Sequence, residues 1–281
     1  MFVSLIVALM CGARAANAAE AEIERMTWIE VRDRIAAGDK TVIIPTGGTE
    51  QNGAHMVTGK HNFIVAETAR RIVAGLGHGL VAPVIAYVPE GDAETRTGHM
   101  AYAGSITVPE PVYKALLKAA AESMKAHGFT SIVFLGDSGG NQAMQEELSN
   151  ELSAAWAADG VKVINARAYY ADNGGEAMLL YEGETKETIG THAGIYDTSE
   201  LLAVYPAGVR LEGAKPDSDG ATGDPRRATR ERGEKLIDLK VAAAVAEIKA
   251  AEDKRTVIVK AEAMAPSTGG VLAWLRHLIF G

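Results

Sequence analysis

Cysteine is almost absent from the chain, whose single example, Cys11, lies near the N-terminus. Internal disulfides are therefore impossible, and thiolate zinc sites, which need several cysteines, are excluded. A long apolar run is also missing, because the stretch from Phe2 to Met10 is shorter than the ~20 residues that span a bilayer. The 28 basic residues are outnumbered by 36 acidic ones and form no basic stripe. These absences argue against a nucleic-acid partner and favour a small molecule.

The N-terminus has the pattern of an export signal. The apolar run from Phe2 to Met10 is followed by Ala16-Asn17-Ala18, the small-x-small pattern after which signal peptidases cut. We therefore expect residues 1–18 to be a signal peptide and the protein to be periplasmic or secreted. Removal of this segment takes Cys11 with it and leaves a mature chain without thiols.

Short apolar runs alternate with longer stretches of helical periodicity along the remaining chain. This alternation predicts an α/β fold, a single domain over residues 19–254 whose mostly parallel sheet is flanked by helices on both faces. The predicted strands are Thr41 to Ile44, Gly79 to Val88, Ser131 to Leu135 and Val161 to Ala166, and the predicted helices are Asn62 to Gly75, Pro111 to His127 and Gln142 to Asp159.

Residues 255–281 are predicted to form a C-terminal extension. It begins with a strand-like run, Thr256 to Val259, and ends in a short amphipathic helix around Trp274 to Phe280. That helix is too short to span a bilayer. The domain, a neighbouring subunit and a membrane surface remain open as its docking partner, the membrane being the least favoured.

Polar chemistry is concentrated after the first strand. The chain turns at Gly47-Gly48 and then presents Glu50, Gln51, Asn52, His55 and His61. Ligands bind at the carboxyl ends of the strands in open α/β sheets, so this stretch is the first candidate site. The alternative is an ordinary loop before a helix, with two surface histidines.

A second glycine-rich segment, Gly136-Asp137-Ser138-Gly139-Gly140, follows the strand that ends at Leu135. It spells the nucleophile segment of trypsin-like proteases, but those proteases are all-β, and this pentapeptide lies in an alternating α/β pattern. Ser138 as a nucleophile within the present fold, near His55 or His192, remains an alternative.

Five ordered segments together resemble the creatininase (creatinine amidohydrolase) family over about residues 26–250. The first holds Pro45, Gly47, Glu50, Gln51, Gly53 and His55 in register with the family's P-x-G-x-x-E-Q-H-G-x-H. The others are Gly98-His99 with Gly104-Ser105-Ile106, Gly139-Gly140-Asn141, His192-Ala193-Gly194 with Asp197-Thr198-Ser199, and Gly223-Asp224-Pro225.

This resemblance implies a hydrolase acting on a small cyclic amide, lactam or related C–N or ester bond. It implies acid/base roles for Glu50 and His192, with Asp197 orienting His192. It also places His55, His99, Asn141 and Asp197 at the substrate. Family members are often hexameric, so a homo-oligomer is expected.

The resemblance further implies a two-metal centre, but most of its ligand positions are altered here. Glu50 remains, whereas the other positions read Asn52, His61, Ser138 and Gly140. A carboxylate can bridge two cations and a neutral imidazole cannot. We therefore predict at most one divalent ion, zinc or manganese, held by Glu50 and His61 with Asp137. A metal-free lyase, isomerase or binding protein that retains Glu50 and His192 is the alternative.

Export generates a prediction about the mature N-terminus. Cleavage after Ala18 should leave Ala19 as the first residue of protein recovered from the periplasm or the medium. Intact-mass and N-terminal analysis check this, and a recovered chain that still begins at Met1 would contradict it.

Overall fold

The structure is a computed structural model that describes residues 21–171 and 173–264, with side chains described through residue 253. The predicted signal peptide and the amphipathic helix around Trp274 to Phe280 lie outside the described residues. Among the described helices, none combines the length and the apolar character needed to cross a bilayer.

Four parallel strands form the central sheet and confirm the predicted α/β class. They are β1 (Thr41–Thr46), β2 (Leu80–Val81), β3 (Ser131–Gly136) and β4 (Lys162–Asn165), in the spatial order β2-β1-β3-β4. β1 pairs with β3 in a register that sets Thr46 opposite Gly136. The carboxyl ends of the two central strands therefore meet at one edge, and the chain that follows each of them enters the same region.

Nine described α-helices surround or follow these strands. They are α1 (Trp28–Ala36), α2 (Lys60–Leu76), α3 (Glu110–Ala126), α4 (Gln142–Ala155), α5 (Arg167–Tyr170), α6 (Gly175–Tyr181), α7 (Lys186–Ile189), α8 (Ile195–Val204) and α9 (Arg230–Met264).

Alternate residues of the strands face two separate cores, because side chains point to opposite faces of a sheet in turn. Val42 and Ile132 pack with Leu117 of α3 and with residues of α1 and α4. Ile43 and Val133 point the other way, into a core completed by α2 and α9. The sheet is thus covered by helices on both faces, as the sequence predicts.

Three details of the sequence prediction are wrong. β1 does not end before Pro45 but continues through Thr46. The missing N–H of Pro45 is tolerated there because the residue lies beyond the short β2, where its carbonyl accepts from the Ile85 N–H. The stretch Gly79 to Val88 contributes only Leu80–Val81 as regular strand, and Thr256 to Val259 lies within α9 rather than in a strand. α9 also runs across residue 254, where the sequence places the domain boundary.

Two adjacent leucines of α3 give a test of this packing. Leu117 is fully buried, whereas Leu116 is 43% exposed. Leu117→Ala should lower the free energy of unfolding by about 2–5 kcal/mol through lost burial and a residual cavity. Leu116→Ala, the matched control, should change it by less than about 1 kcal/mol. Denaturant unfolding measures both, and equal effects would show that α3 packs with a different face.

Candidate active site

A cavity of about 1100 Å³ opens where β1 and β3 end. Its walls come from the segments that follow these two strands, the start of α2, the loop around His99 and the segment that leads into α8. The register of the two strands thus brings together polar residues that are far apart along the chain.

Glu50 lies at the centre of these contacts and is 2% exposed. Its Oε1 lies 2.9 Å from His61 Nε2 and 3.7 Å from His192 Nδ1, and its Oε2 lies 3.2 Å from His99 Nε2. Burial alone would raise the pKa of Glu50, but the hydrogen bond and charge of His61 and the charge of Lys60 outweigh it and hold that pKa below its usual range. Glu50 is therefore a carboxylate at neutral pH.

His61 bridges two carboxylates. Its Nδ1 lies 2.8 Å from Asp137 Oδ2 while its Nε2 contacts Glu50. Burial and the charge of Lys60 lower the pKa of His61, but the hydrogen bonds to Asp137 and Glu50 raise it by more. The net shift of this pKa is upward. A protonated ring donates from both nitrogens, so His61 acts as a cation between two anions.

Asp137 is held from its other side by α9. Lys240 Nζ lies 2.7 Å from Asp137 Oδ1 and 3.1 Å from Glu200 Oε2, and the Tyr169 hydroxyl donates to the same Asp137 oxygen. Burial would raise the pKa of Asp137, but Lys240 and His61 lower it below its usual range. In Glu200, by contrast, burial dominates and raises the pKa to about 7 despite Lys240.

His192 presents a lone pair to the cavity. Its Nε2 lies 2.9 Å from the backbone oxygen of Gln51, which only accepts, and 3.0 Å from the side-chain nitrogen of Gln51, which only donates. We assign the tautomer that is protonated on Nε2 and donates to the carbonyl. Burial and the charge of Lys60 lower the pKa of His192, which is therefore neutral with Nδ1 free toward Glu50. The ring is positioned by a tight turn in which Ala193 has φ +53°, and the Ala193 N–H donates to Asp197.

Gln51 orients the second histidine of this pair. Its Oε1 accepts from the Gly53 N–H, so its amide nitrogen faces His99 Nδ1 at 3.3 Å. His99 Nε2 is thereby directed at Glu50. The two imidazole rings lie side by side, with centroids 4.8 Å apart.

Glu90 adds a neutral carboxyl group beside Glu50. Burial and the negative charge of Glu50, to which it is hydrogen-bonded, raise the pKa of Glu90 to about 10. Its Oε1 is buried without a hydrogen-bond partner in the described part of the chain. The two side chains form an acid–carboxylate pair that shares one proton.

Most of the residues singled out from the sequence line this cavity, but two do not. Those that line it are Glu50, His61, His99, Asp137, Ser138, His192 and Asp197. His55 lies behind the wall, where its Nε2 contacts the Thr198 hydroxyl. Asn141 is fully buried and donates to the Gly47 carbonyl, so it holds the turn after β1 rather than facing the cavity.

The geometry around Ser138 does not form a nucleophile–base pair. His55 Nε2 is bonded to Thr198, and His192 Nε2 is bonded to the Gln51 carbonyl, while His192 Nδ1 faces Glu50. None of these contacts, among the residues that the structure describes, reaches the Ser138 hydroxyl. A serine needs an adjacent base to be activated.

A two-ion centre does not fit the residues present. Gly140 has no side chain, and both nitrogens of His61 are engaged by carboxylates. The predicted ligands Glu50, His61 and Asp137 do come together, but as an ion-pair chain in which His61 offers no lone pair. Their role as ligands stays a prediction.

A single-ion set fits once binding displaces the proton that His99 Nε2 directs at Glu50. Glu50, His99 and His192 have potential ligand atoms that all lie within 4.8 Å of one another. One carboxylate and two imidazoles is a donor set that zinc uses in catalytic sites with an open position. His192 also has the backbone partner on its far nitrogen that typically orients metal-binding histidines.

Sequence reasoning missed three residues of this site, although two of them carry a signal. Lys60 is in the first turn of α2, where the helix dipole disfavours a cation. Lys240 lies on the buried face of α9, three residues after Ile237 and four before Ala244. Glu90 follows a loop and has no such local sign.

Comparison with known proteins gives one result for the family. A family model described as creatinine amidohydrolase matches residues 24–248. Creatinine amidohydrolase of Pseudomonas putida is 23% identical over 77% of this chain and 92% of its own length. A mycofactocin precursor peptide peptidase of Mycobacterium ulcerans (strain Agy99) is 26% identical over 70% of this chain and 80% of its own.

A solved structure supports the fold. A mutant creatininase described as "Zn-Zn type" aligns with a TM-score of 0.66 at 22% identity, covering 82% of this chain and 97% of that one.

Glu200 generates a prediction about pH. Its pKa is raised from 4.5 to about 7, so the folded protein binds this proton more tightly than the unfolded chain, and stability falls as the pH rises through this window. Glu200→Gln mimics the protonated form. Relative to wild type it should therefore gain on the order of 2 kcal/mol between about pH 4.5 and pH 8.

Denaturant unfolding of the metal-free proteins across this pH range measures the difference. Glu212→Gln, at an exposed glutamate, is the control and should track wild type at every pH. Parallel pH profiles for wild type and Glu200→Gln would show that Glu200 is ionised throughout.

Proposed function

Because the chain belongs to the creatininase family, we propose that it is an amidohydrolase that cleaves the C–N bond of a small cyclic amide or lactam and uses one divalent ion, zinc or manganese. The match of the family model to residues 24–248 confirms the resemblance found in the motifs. The ion is assigned to Glu50, His99 and His192. The observation that carries this proposal is the convergence of these three donors, from three separate segments, on one cavity.

The ion would polarise the substrate carbonyl and lower the pKa of a bound water. The other steps belong to side chains. Glu90 holds a proton beside Glu50 and is the acid available to the leaving nitrogen, since a carboxylic acid kept neutral by its surroundings can donate at neutral pH. His61 and Lys240 keep Asp137 and Glu50 in place and compensate their charges.

A second candidate, a metal-free enzyme, is favoured by one observation. Glu50 and Glu90 are hydrogen-bonded and share one proton, so the ionised member can accept a proton from substrate or water while the neutral member donates one. Carboxyl pairs of this kind support acid/base catalysis without a metal. A hydrolase, lyase or isomerase would fit this arrangement, whereas no base among the described residues contacts Ser138 to activate it.

Export and self-association complete the proposal. Residues 1–18 have the pattern of a signal peptide, which supports export. Family membership supports a homo-oligomer such as a hexamer, and light scattering on the purified protein would give its mass.

Metal content separates the two candidates. After loading with zinc and dialysis against metal-free buffer, plasma emission analysis should find one equivalent per chain. Glu50→Gln and His192→Ala should each lose it, because each removes a ligand, while His127→Ala, at an exposed histidine, should retain it. Two equivalents in wild type would contradict the single-ion site.

Activity is measured with a panel of cyclic amides, lactams and short peptides by release of amine or carboxylate. Glu50→Gln should lower turnover by orders of magnitude under either candidate. Near-normal turnover in this variant would show that Glu50 is structural and that both candidates are wrong. Full turnover by zinc-free wild type would leave only the metal-free enzyme.

A further inference from the structure

Lys60 is a buried cation that faces the cavity. It is 1% exposed, lies in the first turn of α2 and is among the residues that line the cavity. Its Nζ lies 3.2 Å from Asp197 Oδ2 and 4.0 Å from Glu50 Oε1. Burial of an ammonium group is costly unless anions compensate it, and the N-terminus of a helix disfavours it further. This costly position indicates that the ammonium group of Lys60 has a functional role in the cavity.

Three basic side chains near the cavity contact three acidic ones. Lys60, His61 and Lys240 approach Glu50, Asp137 and Asp197 with N···O distances between 2.7 and 4.0 Å.

Glu50 is both a neighbour of Lys60 and a ligand of the ion site proposed above. That site consists of one carboxylate and two imidazole rings, so it has no second carboxylate to offset a second ion. Asp197, the other carboxylate near Lys60, already accepts from the Ala193 N–H and pairs with Lys60. A second divalent ion would meet the fixed charge of Lys60 at close range.

We propose that Lys60 is the second cationic centre of the active site: it occupies the place beside Glu50 that a second ion would need, and it donates an N–H to the substrate carbonyl oxygen. The inference rests on the proposed function. When water adds to the carbonyl carbon, it gives a proton to the Glu50 carboxylate and the electrons of the C=O double bond move to oxygen. A fixed ammonium stabilises the negative charge that develops there. The ammonium keeps its proton throughout, so no acceptor for it is required.

Zinc affinity tests the first part without any substrate. Competition with a chromophoric chelator gives the dissociation constant of zinc for wild type, Lys60→Met and Lys60→Gln. Both variants should bind zinc at least tenfold more tightly, because the nearby positive charge is gone. Lys118→Met removes a half-exposed surface lysine and should leave the constant unchanged. Thermal melting shows which variants are folded. One folded Lys60 variant is enough for the zinc-affinity test.

The outcomes distinguish the two proposals. Equal zinc affinity in wild type and in the folded Lys60 variants would overturn the inference while leaving the single-ion function intact. Zinc binding by the variants alone would support the role of Lys60 and refute the metal-dependent function for wild type. Zinc binding by none of the proteins would overturn both.

Turnover tests the second part. On an amide found with the substrate panel, zinc-saturated Lys60→Met should lose about 100-fold in kcat with little change in KM, as expected for a donor that acts mainly in the transition state. Lys60→Arg should restore part of this loss. A variant that binds zinc more tightly and yet turns over more slowly would show that Lys60 stabilises the substrate oxyanion in addition to repelling zinc. Unchanged kcat in Lys60→Met would overturn the donor role.

Discussion

The site depends on one constraint, which is that buried carboxylates must be matched by buried cations. Asp137 and Glu50 are each at most 3% exposed, and an isolated ionised carboxylate at such a depth would be protonated or hydrated instead. His61 lies between them and donates to both. Removing one member of this ion-pair series leaves an uncompensated charge in a medium of low dielectric, so loss of one member destabilises the others.

The fold supplies these cations from elements that belong to the scaffold rather than to flexible loops. Lys60 and His61 begin α2, which packs against the sheet through Val65 and Ala69. Lys240 projects from α9, whose neighbour Ala244 is buried in the same core. Because the backbones of both helices are held by apolar packing, the charged groups are presented at fixed positions, which is what a preorganised site needs.

Family membership and altered ligands give a consistent picture of divergence. The segment after β1 and the turn before α8 match the motifs on which the family resemblance rests, and both line the cavity. The positions that would complete a two-ion centre carry an amide, a hydroxyl and a glycine, while ammonium and imidazolium groups provide positive charge nearby. A fixed organic cation can stabilise an oxyanion, but it does not acidify water as a metal ion does, and the ion proposed at Glu50, His99 and His192 would supply that second effect.

Local features of the chain determined the class of fold and the place of the site. Short apolar runs alternating with helical periods predict a parallel sheet, and the polar residues after β1 predict its active edge, because both depend on neighbours in sequence. Only the tertiary structure decided which charged groups meet. It pairs Lys240 with Asp137 and His99 with Glu50, and it keeps Glu90 protonated. These depend on distances between remote segments and on burial, neither of which a one-dimensional pattern records. His55 and Asn141 show the converse, since motif position predicts a substrate contact and packing turns both side chains toward the interior.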